Sequence, residues 1–147
     1  MNLSIIISND DNRAKEIWEV LEICDFFDDK LVKNPVVISE KFYQTIPKIN
    51  PQKRYVVVSK NLESKNKNII VFKDNEQLLR RLKMLSEDFF IISDKEMFEY
   101  FLPYAKKVYF VEIKNIVNKT DFDLSNFEQK KVAENKNYKI KIYRKER

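Results

Sequence analysis

Along most of this chain, short apolar runs of strand length alternate with stretches in which apolar residues recur at helical spacing. Leu3 to Ile7 is rich in β-branched residues and predicts a buried strand. From Asn12 the period changes. Ile17, Val20, Leu21 and Cys24 share a stripe with Trp18 beside it, which predicts a helix reaching Phe27 and stopping at Asp28-Asp29-Lys30. Pro35 to Ser39 is a second strand, with proline tolerated only at its first position. Ser39 and Glu40 open a short helix through Phe42, Tyr43 and Ile46, closed before Pro47. Tyr55 to Ser59 and Ile69 to Phe72 are further strands, divided by the polar segment Lys60 to Asn68. Asp74 with Gln77 is a capping-box pattern, heading a helix whose stripe is Leu78, Leu79, Leu82 and Leu85.

The stretch from Asp88 to Ile113 carries the clearest pattern. Two apolar runs, Phe89 to Ile92 and Val108 to Ile113, flank about three turns of helical spacing with Met97, Phe98, Phe101 and Leu102 on one face. Ser93 to Glu96 predicts a capping box at the start of that helix. A strand running into a helix N-terminus is where α/β proteins hold phosphates, because unpaired N–H groups and the helix dipole attract anions. Asp94 stands at that mouth. After Ile113, the segment Lys114 to Gln129 predicts mostly loop, with Phe122, Leu124 and Phe127 plugging the core. Lys130 to Arg147 predicts two strands around a turn at Asn135-Lys136-Asn137. The whole pattern predicts a single α/β domain over residues 1–147. Its sheet should be mostly parallel, of about seven to eight strands, with helices on both faces and an antiparallel C-terminal hairpin.

Composition restricts the chemistry more than the fold. The 147 residues, 44% of them hydrophobic, suffice for one domain with one core. Cys24 is the only cysteine and histidine is absent. That removes intrachain disulfides, cysteine-based zinc sites and every histidine-dependent acid–base or nucleophilic scheme. Glycine is absent as well, which excludes every Gly-rich phosphate loop. Lys and Arg number 28 against 23 Asp and Glu, a net +5 that speaks to solubility rather than to fold. No apolar stretch is long enough to span a bilayer, and Met1 to Ser8 lacks the features of a signal peptide. A cytoplasmic protein without a membrane partner is therefore expected.

Three segments in order carry a likeness to a known family. The first is Asn34-Pro35-Val36-Val37-Ile38-Ser39-Glu40-Lys41-Phe42-Tyr43, the second Lys53-Arg54-Tyr55-Val56-Val57-Val58-Ser59-Lys60-Asn61, the third Tyr100-Phe101-Leu102-Pro103-Tyr104-Ala105-Lys106-Lys107-Val108-Tyr109. They resemble, in turn, the Pro-Val-Ile-Met-Gly-Arg, Arg-Arg-Asn-Ile-Val-Leu-Ser-Arg-Asn and Leu-Pro-x-Ala-x-x-Leu-Tyr patterns of dihydrofolate reductase. Thr120 and Phe122 stand where that family has Asp-Thr-x-Phe-Pro, and Tyr143-Arg144-Lys145 is similar to its final strand. The resemblance implies the dihydrofolate reductase fold, and a reaction in which NADPH supplies a hydride while a proton reaches the pterin.

The resemblance also implies where the site residues fall, and many are substituted. Trp18 lies on the family's active-site tryptophan, and counting back from Pro35 puts Ile23 where the catalytic carboxylate belongs. The nearest acids, Glu22 and Asp25, would point roughly 100° and 200° away from Ile23 on a helix. They are proton relays in a shifted register, or ordinary solvated carboxylates. Val111 replaces the threonine that braces the catalytic acid. The family's Gly-Gly at the pyrophosphate is Ser93-Asp94, followed by Lys95, and its Gly-Arg-x-Thr is Ser39-Glu40-Lys41-Phe42. Lys41 and Lys60 are candidates for a 2′-phosphate. Lys53 lies where an arginine holds the folate glutamate, though lysine lacks the two-pronged contact. Phe27 matches the aromatic that stacks on the benzoyl group, and Phe26 and Phe27 would equally suit a core.

Three functions follow. The first is a pseudoenzyme that keeps the fold, needs no cofactor and binds a folate-like small molecule or a protein partner. Its basis is the joint loss of the acid, its threonine partner and both phosphate-binding helix starts. The second is an active, highly diverged NADPH-dependent reductase of dihydrofolate or a pterin, using Glu22 or Asp25. The third is nucleic-acid binding through Lys136, Lys139, Lys141, Arg144, Lys145 and Arg147, with Tyr138 and Tyr143 interleaved. Basic residues on a terminal strand also guard a sheet edge, and that is the simpler reading.

Overall fold

The computed structural model describes residues 2–8, 34–46, 53–64, 66–92, 94–114, 123–134, 136 and 138–145. Strands β1 (Asn2–Ser8), β2 (Val36–Ser39), β3 (Tyr55–Val58), β4 (Ile69–Phe72), β5 (Asp88–Ile92), β6 (Lys107–Ile113), β7 (Phe127–Glu134) and β8 (Tyr138–Lys145) form one sheet, ordered β4-β3-β2-β5-β1-β6-β8-β7. β4 through β6 in that order run parallel, and β8 and β7 join antiparallel. Helices α1 (Glu40–Gln44), α2 (Asn75–Lys83) and α3 (Lys95–Phe101) are set between strands, and a 3-10 turn at Leu102–Tyr104 leads α3 into β6. The predicted helix from Asn12 to Phe27 lies outside the described residues.

The central strands read as nearly unbroken apolar runs because both of their faces are covered. On one face Leu3, Ile5, Ile7, Val37 and Ile91 pack against Leu78 and Leu82 of α2 and Met97, Phe98 and Phe101 of α3. On the other, Ile6, Ile38, Phe90, Ile92, Tyr109 and Val111 pack with Phe42 of α1. Helices thus lie on both faces, as the pattern predicts. Each fully buried side chain of this size contributes about 1.5–3 kcal/mol. The shape of the amphipathic stripes, rather than helix propensity, is what holds these short helices in place.

A chain without glycine must end its helices without the left-handed cap that glycine usually supplies. Here the ends tighten into 3-10 turns instead. Thr45 N donates to Phe42 O at 3.1 Å, Met84 N to Arg81 O at 3.1 Å and Ala105 N to Leu102 O at 3.2 Å, so the terminal carbonyls still find donors. Thr45 at φ −101° and Met84 at φ −84° stay on the ordinary side of the backbone map.

Three expectations are corrected. The N-cap of α3 is Asp94, one residue later than the Ser93 capping box. Its carboxylate lies two bonds beyond Cα and accepts from Met97 N, which supplants the box. β7 begins at Phe127, where loop was predicted through Gln129, because pairing with β8 extends to Phe127 against Lys145 around a bulge at Gln129/Lys131. β8 is not the sheet edge. It lies between β6 and β7, so its lysines do not guard an open edge, and the exposed Glu128, Gln129 and Lys130 of β7 stand there instead.

Candidate functional site

The C-terminal ends of β2, β3 and β5 meet at one edge of the sheet. Ile38 is level with Ile92, and Ser39 with Val58. With neighbouring strands about 4.8 Å apart, the turns that begin at Ser39, Ser59 and Asp94 border a common rim. Each spends a side-chain oxygen on its own backbone. Ser39 Oγ accepts from Phe42 N at 3.3 Å, and Asp94 Oδ1 accepts from Met97 N at 3.0 Å. Ser59, 5% exposed, accepts through Oγ from Asn61 N at 3.4 Å and Leu62 N at 3.1 Å. Ser59 was read only as a strand end. The signal for its role was a serine followed by polar residues at a strand terminus, which favours a side-chain-closed turn.

The charges on this rim are mixed. Glu40 sits in the first turn of α1, where the helix dipole favours an acid, and Lys41 is exposed beside it. Lys60 is exposed on the turn after β3. Lys95 Nζ lies 4.0 Å from Glu99 Oε1, an i,i+4 pair that directs it along α3. Below the rim, the sheet face carries the apolar Ile6, Ile38, Ile92 and Val111, with Tyr109 level with Ile6 and the buried Ser8 level with Val111 at the end of β1. Val111 is completely buried, level with Ser8 of β1 and Ile140 of β8. Ser39, Lys41, Lys60, Asp94 and Lys95 are therefore brought to one edge. Lys53, half-buried ahead of β3, stands at the opposite edge of the sheet. Trp18, Glu22, Ile23, Asp25, Phe27 and Ser93 lie outside the described residues.

Elsewhere, the Ser125 hydroxyl and then the Ser125 backbone N–H hold the Asp123 carboxyl below its ordinary value. That group is fully exposed in the turn before β7, away from the rim. Among the described residues no three of His, Cys, Asp or Glu gather as a metal site, and no helix is long and apolar enough to cross a membrane.

Strand order, helix placement and this three-strand rim define an α/β protein with the dihydrofolate reductase fold. A dihydrofolate reductase from Enterococcus faecalis, solved in complex with NADP(H) and RAB-propyl, superposes with a TM-score of 0.74 at 17% identity, covering 98% of this chain and 96% of that one. The family model described as dihydrofolate reductase matches residues 3–147, and the chain belongs to that family. A relative named dihydrofolate reductase type 9, from Escherichia coli, is 26% identical over 124 residues, covering 79% of this chain and 70% of the relative.

Proposed function

We propose that this chain is a dihydrofolate reductase family member that has lost NADPH-dependent reduction of dihydrofolate and serves as a non-catalytic binding or interaction module. One observation carries the reading: Asp94 Oδ1 already occupies the N–H of Met97 at the start of α3. A phosphate seeking the same donors would lie about 4 Å from a carboxylate. That costs on the order of 1 kcal/mol in water and about 4 kcal/mol at an effective dielectric near 20. Affinity would fall by roughly one to three decades. Ser39 holds the corresponding donor of α1, with Glu40 adding a second negative charge. The residues on this rim do not fit a dinucleotide pyrophosphate, so no reaction step is assigned to it. Val111 supports the same reading. Losing both members of an acid–threonine pair to apolar residues is nearly neutral, whereas losing one leaves a buried group unsatisfied.

A second reading is an active, diverged reductase in which NADPH is bound, Lys41 and Lys60 meet its 2′-phosphate, and Glu22 or Asp25 relays the proton. The family match across residues 3–147 and the NADP(H) complex of the Enterococcus enzyme favour it. Titration with NADPH, followed by cofactor fluorescence, separates the two. Micromolar binding would refute the first reading, and no binding up to millimolar cofactor would refute the second. Nucleic-acid binding is favoured by neither face of β8. Tyr138 is buried in one core and Tyr143 packs against the other, so the two rings do not form a shared stacking surface.

A further inference from the structure

At the N-terminal edge of the sheet, a depression of about 640 Å³ opens among residues of β1, β5, β6 and β8. Its floor is set by strand register. Ser4 is level with Phe90 and with Lys107, and Lys107 is level with Arg144. Residues level across a sheet share a face, so these side chains form one row. Tyr109, two positions along β6 from Lys107, shares that face, and its ring centroid lies 6.1 Å from that of Phe90 at a tilt of 41°. Two buried rings therefore adjoin a row of hydroxyl, ammonium and guanidinium groups.

The cationic wall is fixed by the backbone. Lys106 N donates to Leu3 O at 2.8 Å, and Lys145 N donates to Lys106 O at 3.0 Å, which locks the start of β6 beside the end of β8. Lys145 turns its ammonium to Pro103 O at 2.7 Å. Lys106, Lys107 and Arg144 line the wall. Across the depression stands Asp88, whose carboxylate accepts from the Asn2 side-chain amide. The arrangement has cations at one side, aromatic rings beneath and an acceptor at the other.

We propose that this depression binds a small aromatic phosphate of nucleoside-monophosphate size. The phosphate meets the Lys106, Lys107 and Arg144 wall, where a guanidinium matches two phosphate oxygens at once. The aromatic ring closes over the narrow margins of Phe90 and Tyr109 that line the depression, and an amino group on it donates toward Asp88. The volume falls within the roughly 300–1,000 Å³ of small-molecule sites. Phe90 and Asp94 are four residues apart on the same strand and its extension, roughly 13 Å, so this site stands independently of the rim at Ser39 and Asp94.

The test is a titration of the ¹⁵N-labelled full chain with AMP, adenosine and ribose 5-phosphate, followed by amide shifts. AMP should saturate with shifts at Ser4, Phe90 and Lys107, while adenosine and ribose 5-phosphate each bind at least about tenfold more weakly. Lys106→Gln and Arg144→Gln, both at exposed positions, should each weaken AMP about tenfold with an unchanged melting temperature. Lys60→Gln, on the other edge, should leave AMP binding unchanged. Failure of AMP to saturate in the millimolar range would overturn the proposal. So would shifts centred on Lys60 and Asp94, or an affinity indifferent to both neutralisations.

Discussion

Asp94→Asn separates the two roles of that side chain. Asparagine caps a helix about as well as aspartate, so the bond to Met97 N is kept in kind. What is lost is the favourable interaction of a negative charge with the helix dipole, about 0.3–1 kcal/mol. α3 stays anchored, since Met97, Phe98 and Phe101 are each no more than 3% exposed. For an anion at the start of α3, removing the carboxylate relieves about 1–4 kcal/mol. Under the proposed reading, the NADPH dissociation constant should therefore fall by a factor of about five to a thousand. Fluorescence titration of wild type and Asp94→Asn side by side, with thermal melts to verify folding, reads the effect directly. Asp94→Ala removes the cap as well, costs about 0.5–2 kcal/mol of stability, and should bind NADPH at least as tightly as the asparagine variant. If neutralising Asp94 changed NADPH affinity by less than twofold, the carboxylate would not stand in the path of the anion, and the main support for lost cofactor binding would fall.

Other substitutions probe the frame. Phe98→Ala, at a position 1% exposed beneath α3, should destabilise by about 3–5 kcal/mol in denaturant unfolding. Asp74 Oδ1 accepts from Gln77 N at 2.8 Å, so Asp74→Ala should cost about 0.5–2 kcal/mol and Asp74→Asn little. The Asp123 carboxyl is held low by Ser125, so its small stabilising effect is present above the unfolded carboxylate pKa and fades as pH falls through the lower folded value. Ser125→Ala should move the Asp123 titration, followed by NMR, upward toward its ordinary value, and an unmoved titration would refute the assigned cause.

Much of the sheet was legible because its signals are local. Ile69 to Phe72 was bounded by polar residues on both sides and the strand falls there without change. Asp74 with Gln77 announced α2, and the cap forms between those two residues. The misreadings arose where a tertiary contact decides. Phe127 joins β7 because β8 pairs with it, which no local pattern reveals. The sequence pattern points to Ser93 as the cap, but serine and aspartate cap with comparable strength, and the structure's use of Asp94 sets which N–H the carboxylate occupies. The strand order β6-β8-β7 likewise depends on long-range pairing, and a hairpin read from sequence does not show which of its strands lies inside. At the rim, the identities of Ser39, Lys60 and Asp94 were legible through the resemblance, while the backbone bonds of Ser39, Ser59 and Asp94 are visible only in three dimensions.

The absence of glycine acts differently at the two ends of a helix. At C-termini the fold loses nothing essential, since 3-10 bonds at Phe42, Arg81 and Leu102 satisfy carbonyls that a left-handed glycine would otherwise serve. At N-termini a side chain takes glycine's place, and it brings an oxygen that closes on the nearest free N–H. Ser39 and Asp94 both do so. The replacement strengthens each helix by roughly a kilocalorie relative to an uncapped start, and in the same step takes one of the donors that a bound anion would use. Stability and anion binding thus compete for the same N–H groups. A chain with Asp94→Gly should lose only a few tenths of a kcal/mol, yet open the Met97 N–H at the start of α3. If Asp94→Gly bound NADPH no better than wild type while remaining folded, competition for that donor would not limit cofactor binding, and the proposed reading would lose its basis at α3.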